Sequence, residues 1–256
     1  MEYFWSHQDD IPKGMGYPLF GPAHLFSVFL TLLAVFFFIL FFRKKSEEKQ
    51  AKILKAFPIV MIVLEVLKDS FLVAIHRFGI GYLPLHFCSF GIYLFFFREF
   101  LPWKWAKDWL GEVVFTLTLP GSIFALFFAD WAVYYPPLNV INIHSYIWHG
   151  MLVLYPILIR MKGNITPSVK HIYRVIIFLL VVVPPIYIFD KANRCNYFFV
   201  NWPVPNSPLS LMAKYMGVPG YLIGYAALAI VVMLFMYGLD RGLTPLRKSN
   251  TAGLDG

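Results

Sequence analysis

The sequence carries little charge for its length, and this shortage limits the class of protein that it can form. Charged residues make up 14% of the 256 residues, whereas an ordinary soluble domain has about 25%. Hydrophobic residues make up 59% and aromatic residues 19%, which a water-soluble fold has nowhere to bury. The composition therefore excludes a soluble domain and predicts an all-α polytopic membrane protein.

Motifs for nucleotides, hydrolases and metals are also missing. The sequence contains no G-x-x-x-x-G-K-[ST], no G-x-G-x-x-G and no G-x-S-x-G, so it offers neither a nucleotide site nor a serine nucleophile elbow. Its seven histidines include no H-E-x-x-H motif and no pair four residues apart, a spacing that helical zinc sites use. We therefore expect no cofactor, no metal and no nucleotide partner.

Seven apolar runs predict seven membrane-spanning helices, because one span needs roughly 17–25 residues. The runs cover residues 24–42, 53–75, 84–97, 110–128, 138–159, 172–189 and 219–239. The third run is short, so we expect its helix to start earlier, near Gly79. Pro120-Gly121 and Pro184-Pro185 predict interruptions in the fourth and sixth helices. Residues 1–243 would form one helical membrane domain, and we expect the polar tail, residues 244–256, to be disordered.

Basic residues fall mostly on one side of these predicted spans. Of 22 Lys and Arg residues, sixteen lie in the loops and tail of one side, five lie on the other side, and Lys68 lies inside the second span. Because basic residues collect on the cytoplasmic side of a membrane, the N-terminus is predicted outside and the C-terminus inside. The net charge of +8 then reflects topology, and we expect no nucleic-acid partner.

Polar side chains from five segments converge near the predicted outer ends of the spans. They are His24; Glu65, Lys68 and Asp69; His86, Cys88 and Ser89; Asn142, His144, Ser145 and His149; and Asp190, Asn193, Cys195 and Asn196. Such groups are costly at membrane depth unless they face a cavity or one another, so their convergence predicts a functional site. The long loop at residues 190–218 is expected to cover it.

Glu65, Lys68 and Asp69 lie three and four residues apart, which places them on one face of a helix. One interpretation is an internal ion pair that fixes helix packing. The other is that Glu65 or Asp69 orients a catalytic histidine or relays protons.

Cys88 allows three interpretations. A buried cysteine usually behaves as a small hydrophobe. On the outer side, Cys88 and Cys195 could also form a disulfide between the third span and the sixth loop. The third interpretation is a nucleophile activated by a nearby imidazole, because the thiolate is the reactive form.

An imidazole that serves Cys88 has to come from another segment. On a regular helix His86 would point about 200° away from Cys88 and would share a face with Ser89 instead. His144 and His149 diverge by about 140° on the fifth span, so only one of them can face the thiol squarely. Depth favours His144, about 9 Å past the start of that span, over His149 at about 16 Å.

Four motifs occur in order through nearly the whole chain. They are Phe20-Gly21-Pro22-Ala23-His24, then Leu83-Pro84-Leu85-His86-Phe87-Cys88-Ser89, then His144 with His149, and finally Asn193 with Asn196-Tyr197-Phe198-Phe199. In these motifs the sequence resembles the YwaF-like family of integral membrane proteins. That family is related to an animal transmembrane acyltransferase that moves polyunsaturated acyl chains between phospholipids.

The resemblance implies a catalytic cysteine at Cys88 and a catalytic histidine at His149, which precedes Leu152–Pro156 as the family pattern suggests. His144 remains the alternative that depth favours. The resemblance also implies membrane phospholipids as partners and a multi-pass location in the plasma membrane of a bacterium. It assigns no role to Asn196 and Tyr197, and the oligomeric state stays open.

Two functions fit these observations. The first is a lipid acyltransferase or transacylase in which Cys88 carries the acyl group, His149 or His144 is the base, and Lys68 or Arg194 contacts the headgroup phosphate. The second is a seven-helix transporter or ligand-binding protein with a structural cysteine and no catalysis.

Overall fold

The computed structural model describes residues 2–252, with side chains for residues 2–242. Within this part of the chain all regular structure is helical, which confirms the all-α class. The helices are α1 Pro22–Arg43, α2 Glu47–Ala74, α3 Phe90–Phe100, α4 Lys104–Val113, α5 Leu119–Phe127, α6 Val140–Met161, α7 Ile172–Asn193, α8 Pro208–Met216 and α9 Tyr221–Ala252. The prediction for the tail, residues 244–256, falls outside the described side chains.

Among the described residues, four helical segments are long and apolar enough to cross a membrane. They are Pro22–Arg43, Lys104–Val133, Val169–Asn193 and Tyr221–Gly242. Large apolar side chains such as Leu180 and Phe235 are exposed on their surfaces, where lipid would cover them. Helices α2 and α6 are long but carry charged or polar side chains, and α3 has only 11 residues. The count of seven spans and their orientation therefore stay predictions.

Helix α6 lies at the centre of the fold. Of its 22 residues, thirteen are buried, and it packs against α1, α2 and α5. Gly150 allows the close approach of α1, since an added Cβ would lie 3.0 Å from Thr31 Cγ2. Small residues at such contacts let membrane helices gain van der Waals packing, which replaces the hydrophobic driving force inside a bilayer.

Helix α3 begins at Phe90, later than the sequence predicts. Residues 83–89 form turns instead of a helix that starts near Gly79. Pro84 lacks a backbone N–H and disfavours a helical conformation at Leu83, whose ψ is 144°. The expectation that His86 turns away from Cys88 and shares a face with Ser89 assumed a regular helix, which residues 83–89 do not form.

The two proline-containing helices behave differently. Helices α4 and α5 are joined by a π-helical turn, Val114–Thr118, so the predicted interruption lies just before Pro120-Gly121. Because Pro120 has no N–H for the carbonyl four residues earlier, the backbone widens to bonds between residues five apart, as from Leu119 N to Val114 O. Helix α7 continues through Pro184-Pro185, so the break predicted there is wrong.

Candidate functional site

Helices α3 and α6 run side by side in the same direction. Gly91 packs directly against Leu152 Cδ2, with no room for a Cβ between them. Farther along, Phe95 stacks on Tyr155 with ring centroids 3.9 Å apart. In the last turn of α3, Arg98 Nη2 donates to the carbonyl of Asn164, just past the end of α6, at 3.2 Å. Three successive contacts thus fix the parallel register of the two segments.

This register places Cys88 near the level of His149. Residues 88–91 close a turn through Gly91 N to Cys88 O at 3.2 Å, so Cys88 lies about 6 Å before the Gly91 contact at 3₁₀ rise. On α6, His149 lies about 4.5 Å before Leu152, whereas His144 lies about 12 Å before it. The depth argument that favoured His144 assumed a helical third span, and it does not hold in this register.

His149 is buried, with 6% of its surface exposed, and its ring is held in one orientation. Nδ1 lies 2.7 Å from the carbonyl oxygen of Ser145. A carbonyl only accepts, so Nδ1 carries the proton and Nε2 keeps its lone pair. Within the described residues, no hydrogen bond reaches Nε2. A general base needs this tautomer and this free nitrogen.

Trp131 forms one wall of the histidine site. Its ring stacks on the His149 ring with centroids 4.9 Å apart and an interplanar angle of 9°. Its Nε1 is buried and has no hydrogen-bond partner, although such a donor costs about 1–3 kcal/mol when left unpaired. Sequence reasoning missed Trp131, because it lies in the short 3₁₀ turn Asp130–Val133 and an isolated aromatic residue carries no motif.

His144 faces a different neighbour. Its ring stacks on Trp148 with centroids 5.5 Å apart and lies against the backbone of Leu64 on α2, within electrostatic range of Lys68. Its Nε2 is also buried without a hydrogen-bond partner. His144 therefore borders the charged face of α2.

Glu65, Lys68 and Asp69 form the ion triplet that their spacing predicts. Lys68 Nζ lies 2.8 Å from Glu65 Oε1 and 3.3 Å from Asp69 Oδ1. Glu65 and Lys68 lie within electrostatic range of Cys88, and Lys68 also reaches His86. The triplet therefore pairs one cation with two acids and also contributes to the electrostatic environment of Cys88.

Both cysteines are free thiols, so the structure contains no Cys88–Cys195 disulfide. Cys88 packs against the main core with α6, and Ser89 is buried beside it. Cys195 belongs to a separate cluster that includes Ile186. Burial, and then the carboxylate of Asp190, raises the pKa of the Cys195 thiol. Cys195 therefore lies in a different environment from Cys88 and serves as an internal control.

Residues 194–207, between α7 and α8, form a cap over the Cys88 turn. The ring of His86 packs edge-on against Tyr197, with centroids 4.7 Å apart. The Tyr197 hydroxyl donates to the backbone carbonyl of Ile80. Phe198 contacts Phe87 and Phe90 at centroid distances of 5.2 and 5.1 Å. The cap is therefore attached to both ends of the Cys88 turn through aromatic contacts.

The asparagines of the predicted site shape this cap. Asn196 Oδ1 accepts from the backbone N–H groups of Asn201 at 3.1 Å and Trp202 at 3.0 Å. Asn193 Nδ2 donates to the carbonyl of Phe189 at 2.9 Å, near the end of α7. The Asn196 bonds are internal to the cap and the Asn193 bond is internal to α7, so these bonds hold the cap and its attachment to the helix.

His24 and Asn142 are engaged elsewhere. His24 Nδ1 accepts from Phe20 N at 3.0 Å, and its Nε2 donates to the carbonyl of Leu126 at 2.9 Å. Asn142 Oδ1 accepts from the Tyr17 hydroxyl at 3.0 Å. Since both nitrogens of His24 are occupied, it connects α1 to α5 and has no capacity left for proton transfer.

Among the described residues, no three His, Cys, Asp or Glu side chains gather closely enough to hold a metal ion. A model of the TMEM164 family matches residues 19–237 of the chain, a range that contains the Cys88 turn, α6 and the cap. No curated protein and no solved structure matches the chain. The family match and the apolar helices together identify a multi-pass membrane protein.

Proposed function

The chain belongs to the TMEM164 family, and from this premise we propose that it is a membrane-embedded lipid acyltransferase or transacylase. One observation supports the proposal: Cys88 precedes Gly91 and His149 precedes Leu152 by three residues each, and Gly91 contacts Leu152, while the bond from His149 Nδ1 to the Ser145 carbonyl leaves Nε2 with its lone pair and Cys88 is a free thiol. The resemblance to the YwaF-like family, and through it to a phospholipid acyltransferase, supplies the chemistry.

In the first half-reaction, His149 Nε2 takes the proton of the Cys88 thiol. The thiolate attacks the ester carbonyl of a phospholipid, and the carbon–oxygen bond to the glycerol backbone breaks. The imidazolium then gives its proton to the departing lysolipid oxygen. The acyl group is left on Cys88 as a thioester.

In the second half-reaction, His149 takes a proton from the hydroxyl of an acceptor lysophospholipid. The resulting oxygen nucleophile attacks the thioester carbonyl, and the carbon–sulfur bond breaks. The imidazolium returns the proton to the Cys88 sulfur, which restores the starting enzyme. No oxidant, reductant or cofactor is consumed.

The neighbours of His149 support this cycle. The Ser145 carbonyl accepts the Nδ1 hydrogen at 2.7 Å and would stabilise the imidazolium that forms. The parallel Trp131 ring keeps the imidazole in its plane. The unpaired Trp131 N–H is available to the oxygen that becomes negative in the tetrahedral intermediate, where a preorganised donor lowers the barrier.

The lipid itself would be bound by two kinds of surface. The aromatic cluster of Phe87, Phe90 and Phe198 borders the Cys88 turn and offers an apolar wall to the acyl chain. Arg194 is exposed at the end of α7 and is the more available phosphate partner, since Lys68 is already paired with two carboxylates.

The test is acyl transfer by the purified protein in phospholipid vesicles that contain a donor with an isotope-labelled acyl chain and a lysophospholipid acceptor. Wild type should transfer the label, and mass spectrometry should find the acyl thioester on Cys88. Cys88→Ala should abolish both, whereas Cys195→Ala should retain them. Equal transfer by Cys88→Ala and wild type, or no transfer by wild type, would refute the proposal.

A transporter or ligand-binding protein is the second candidate. The π-helical turn Val114–Thr118 favours it, because such turns are frequent at functional sites inside helices. Helix α7 continues through Pro184-Pro185, so only one of the two helix interruptions predicted from the prolines is left to support a transporter. Inactive wild type with two unreactive thiols would support this candidate.

A further inference from the structure

A polar cavity of about 320 Å³ lies at the end of the molecule where α3 and α6 end. It is formed by the start of α4, the start of α7 and the loop between α6 and α7. Its charged lining consists of Lys104, Asp108, Glu112, His171 and Arg174. Its loop begins about 20 Å beyond His149 along α6, so it is separate from the Cys88 site.

The two acids of this cavity are already paired. Glu112 is buried, with 3% of its side chain exposed, and its Oε1 accepts from Ser168 N at 3.0 Å. Its Oε2 lies 3.6 Å from His171 Nδ1. Asp108 Oδ2 lies 2.7 Å from Lys104 Nζ. The carboxylates therefore connect the walls of the cavity, and other groups are available at its opening.

Arg174 is the cation that remains. Within the described residues it forms no ion pair, although it lies within electrostatic range of Glu112. Its side chain makes one long hydrogen bond, from Nε to the Tyr173 hydroxyl at 3.4 Å, and its guanidinium lies 5.9 Å from the centre of the Tyr173 ring. Its position is fixed, because its carbonyl accepts from Trp109 Nε1 at 2.8 Å. Both terminal nitrogens are left as a fork, the geometry that binds phosphate oxygens in pairs.

Other donors complete the opening. Thr166 and Asn164 are exposed in the loop beside the cavity, and their side chains can donate to an oxyanion. The two segments that meet here, residues 98–107 and 160–174, carry seven of the 22 basic residues, of which Arg98 and Arg160 are paired with Glu99 and Asp240. The predicted orientation puts these segments on the cytoplasmic side of the membrane. Basic pockets between membrane helices on that side are typical sites for anionic headgroups.

We infer that this cavity binds a phosphate group, carried either by a lipid headgroup or by free phosphate, with Arg174 as its principal ligand. The guanidinium meets the phosphate oxygens, and Thr166 and Lys104 contact it from the rim. The site does not take part in the proposed acyl transfer, so the two proposals stand or fall separately.

Binding is measured by native mass spectrometry and thermal shift on the full-length protein in detergent. The probes are dioctanoyl phosphatidic acid, dioctanoyl phosphatidylcholine and inorganic phosphate. Arg174→Ala should weaken binding of the preferred probe about tenfold or more, since a charge-assisted pair is lost. Lys170→Ala is the matched control, because this exposed cation is outside the cavity.

The arms separate the two sources of phosphate. Binding of phosphatidic acid without inorganic phosphate assigns a lipid headgroup, and equal binding of inorganic phosphate assigns the free anion. Lys104→Ala, at a fully solvated side chain, should give a smaller loss and replaces Arg174→Ala if that variant does not fold. If both cavity variants bind every probe as Lys170→Ala does, the inference is overturned.

Discussion

The buried polar groups near the two ends of α3 differ in how far they are paired by hydrogen bonds. In its last turn, the Arg98 guanidinium donates to Glu99 at 2.7 Å and to the Asn164 carbonyl at 3.2 Å, although its Nε is left unpaired. The Tyr155 hydroxyl donates to the same Glu99 carboxylate at 2.6 Å. Near the other end, the stacked rings of His149 and Trp131 carry an Nε2 and an Nε1 that form no hydrogen bond within the described residues.

Buried polar groups in proteins are normally paired, and each exception needs a reason. The paired cluster at Arg98 uses its bonds to hold α3 against α6. The unpaired cluster around His149 leaves the same kinds of group available, which is what a substrate oxygen or a thiol proton requires. The contrast separates residues that stabilise the fold from residues that are free to react.

The largest effect is expected from the base itself. His149→Ala should lower acyl transfer by roughly 10²–10⁴-fold, the usual contribution of a positioned general base. His144→Ala should change the rate little, because its ring faces Leu64 on α2. Transfer rates of the two variants in the same vesicles measure the difference. The reverse order would show that the α3–α6 register does not select the base.

Trp131→Phe isolates the unpaired N–H, because phenylalanine keeps an aromatic ring against His149. Loss of one oxyanion donor typically costs about 10²–10³-fold in rate, and we expect a decrease toward the lower limit with binding of the donor lipid unchanged. Its melting temperature should not fall, since the N–H has no partner to lose. A lower melting temperature with an unchanged rate would assign Trp131 to packing alone.

Tyr155→Phe tests the hydrogen-bonded cluster at the C-terminal end of α3. Removing the hydroxyl that donates to Glu99 at 2.6 Å should lower the free energy of unfolding by about 1–3 kcal/mol, since a buried carboxylate loses a donor. The rate per folded molecule should stay that of wild type. Unfolding in detergent, followed by circular dichroism, gives the stability. A variant as stable as wild type would contradict the stabilising role of this cluster.

The smallest effect is expected at an exposed pair beside the Cys88 end. The Arg77 guanidinium lowers the pKa of the Asp10 carboxyl from its usual value. The stability from this pair is therefore present above about pH 4 and is lost as the pH falls through the lower, folded pKa. The melting temperature of wild type should be slightly higher than that of Asp10→Asn at pH 6 and equal to it at pH 2.5. A constant difference would exclude titration of Asp10.

Much of the helical framework is predictable from the sequence. Runs of apolar residues place α1, α6 and α7 within a few residues of their observed limits, because long periodic segments leave few alternatives. The predicted start of α3, near Gly79, is too early, because hydropathy does not show that Pro84 disfavours a helix at this point. The sequence also could not predict that α7 continues through Pro184-Pro185, because a proline can either break or merely bend a helix.

The candidate site was predictable only by residue type. Depth alone grouped His24 and Asn142 with His149, yet both are occupied by partners from distant segments. Which histidine nitrogen carries a proton follows from the Ser145 carbonyl, and the choice of His149 follows from helix register. Neither the carbonyl direction nor the register can be read from a single chain without its fold.

The contact of Gly91 with Leu152 has a consequence for the proposed reaction. Because the α3 backbone touches this side chain with no gap, an acyl donor would not reach Cys88 between α3 and α6 at this point. The proposed route passes the cap instead, where Phe198 contacts Phe87 and Phe90. Movement of Phe198 would then open the site to lipid.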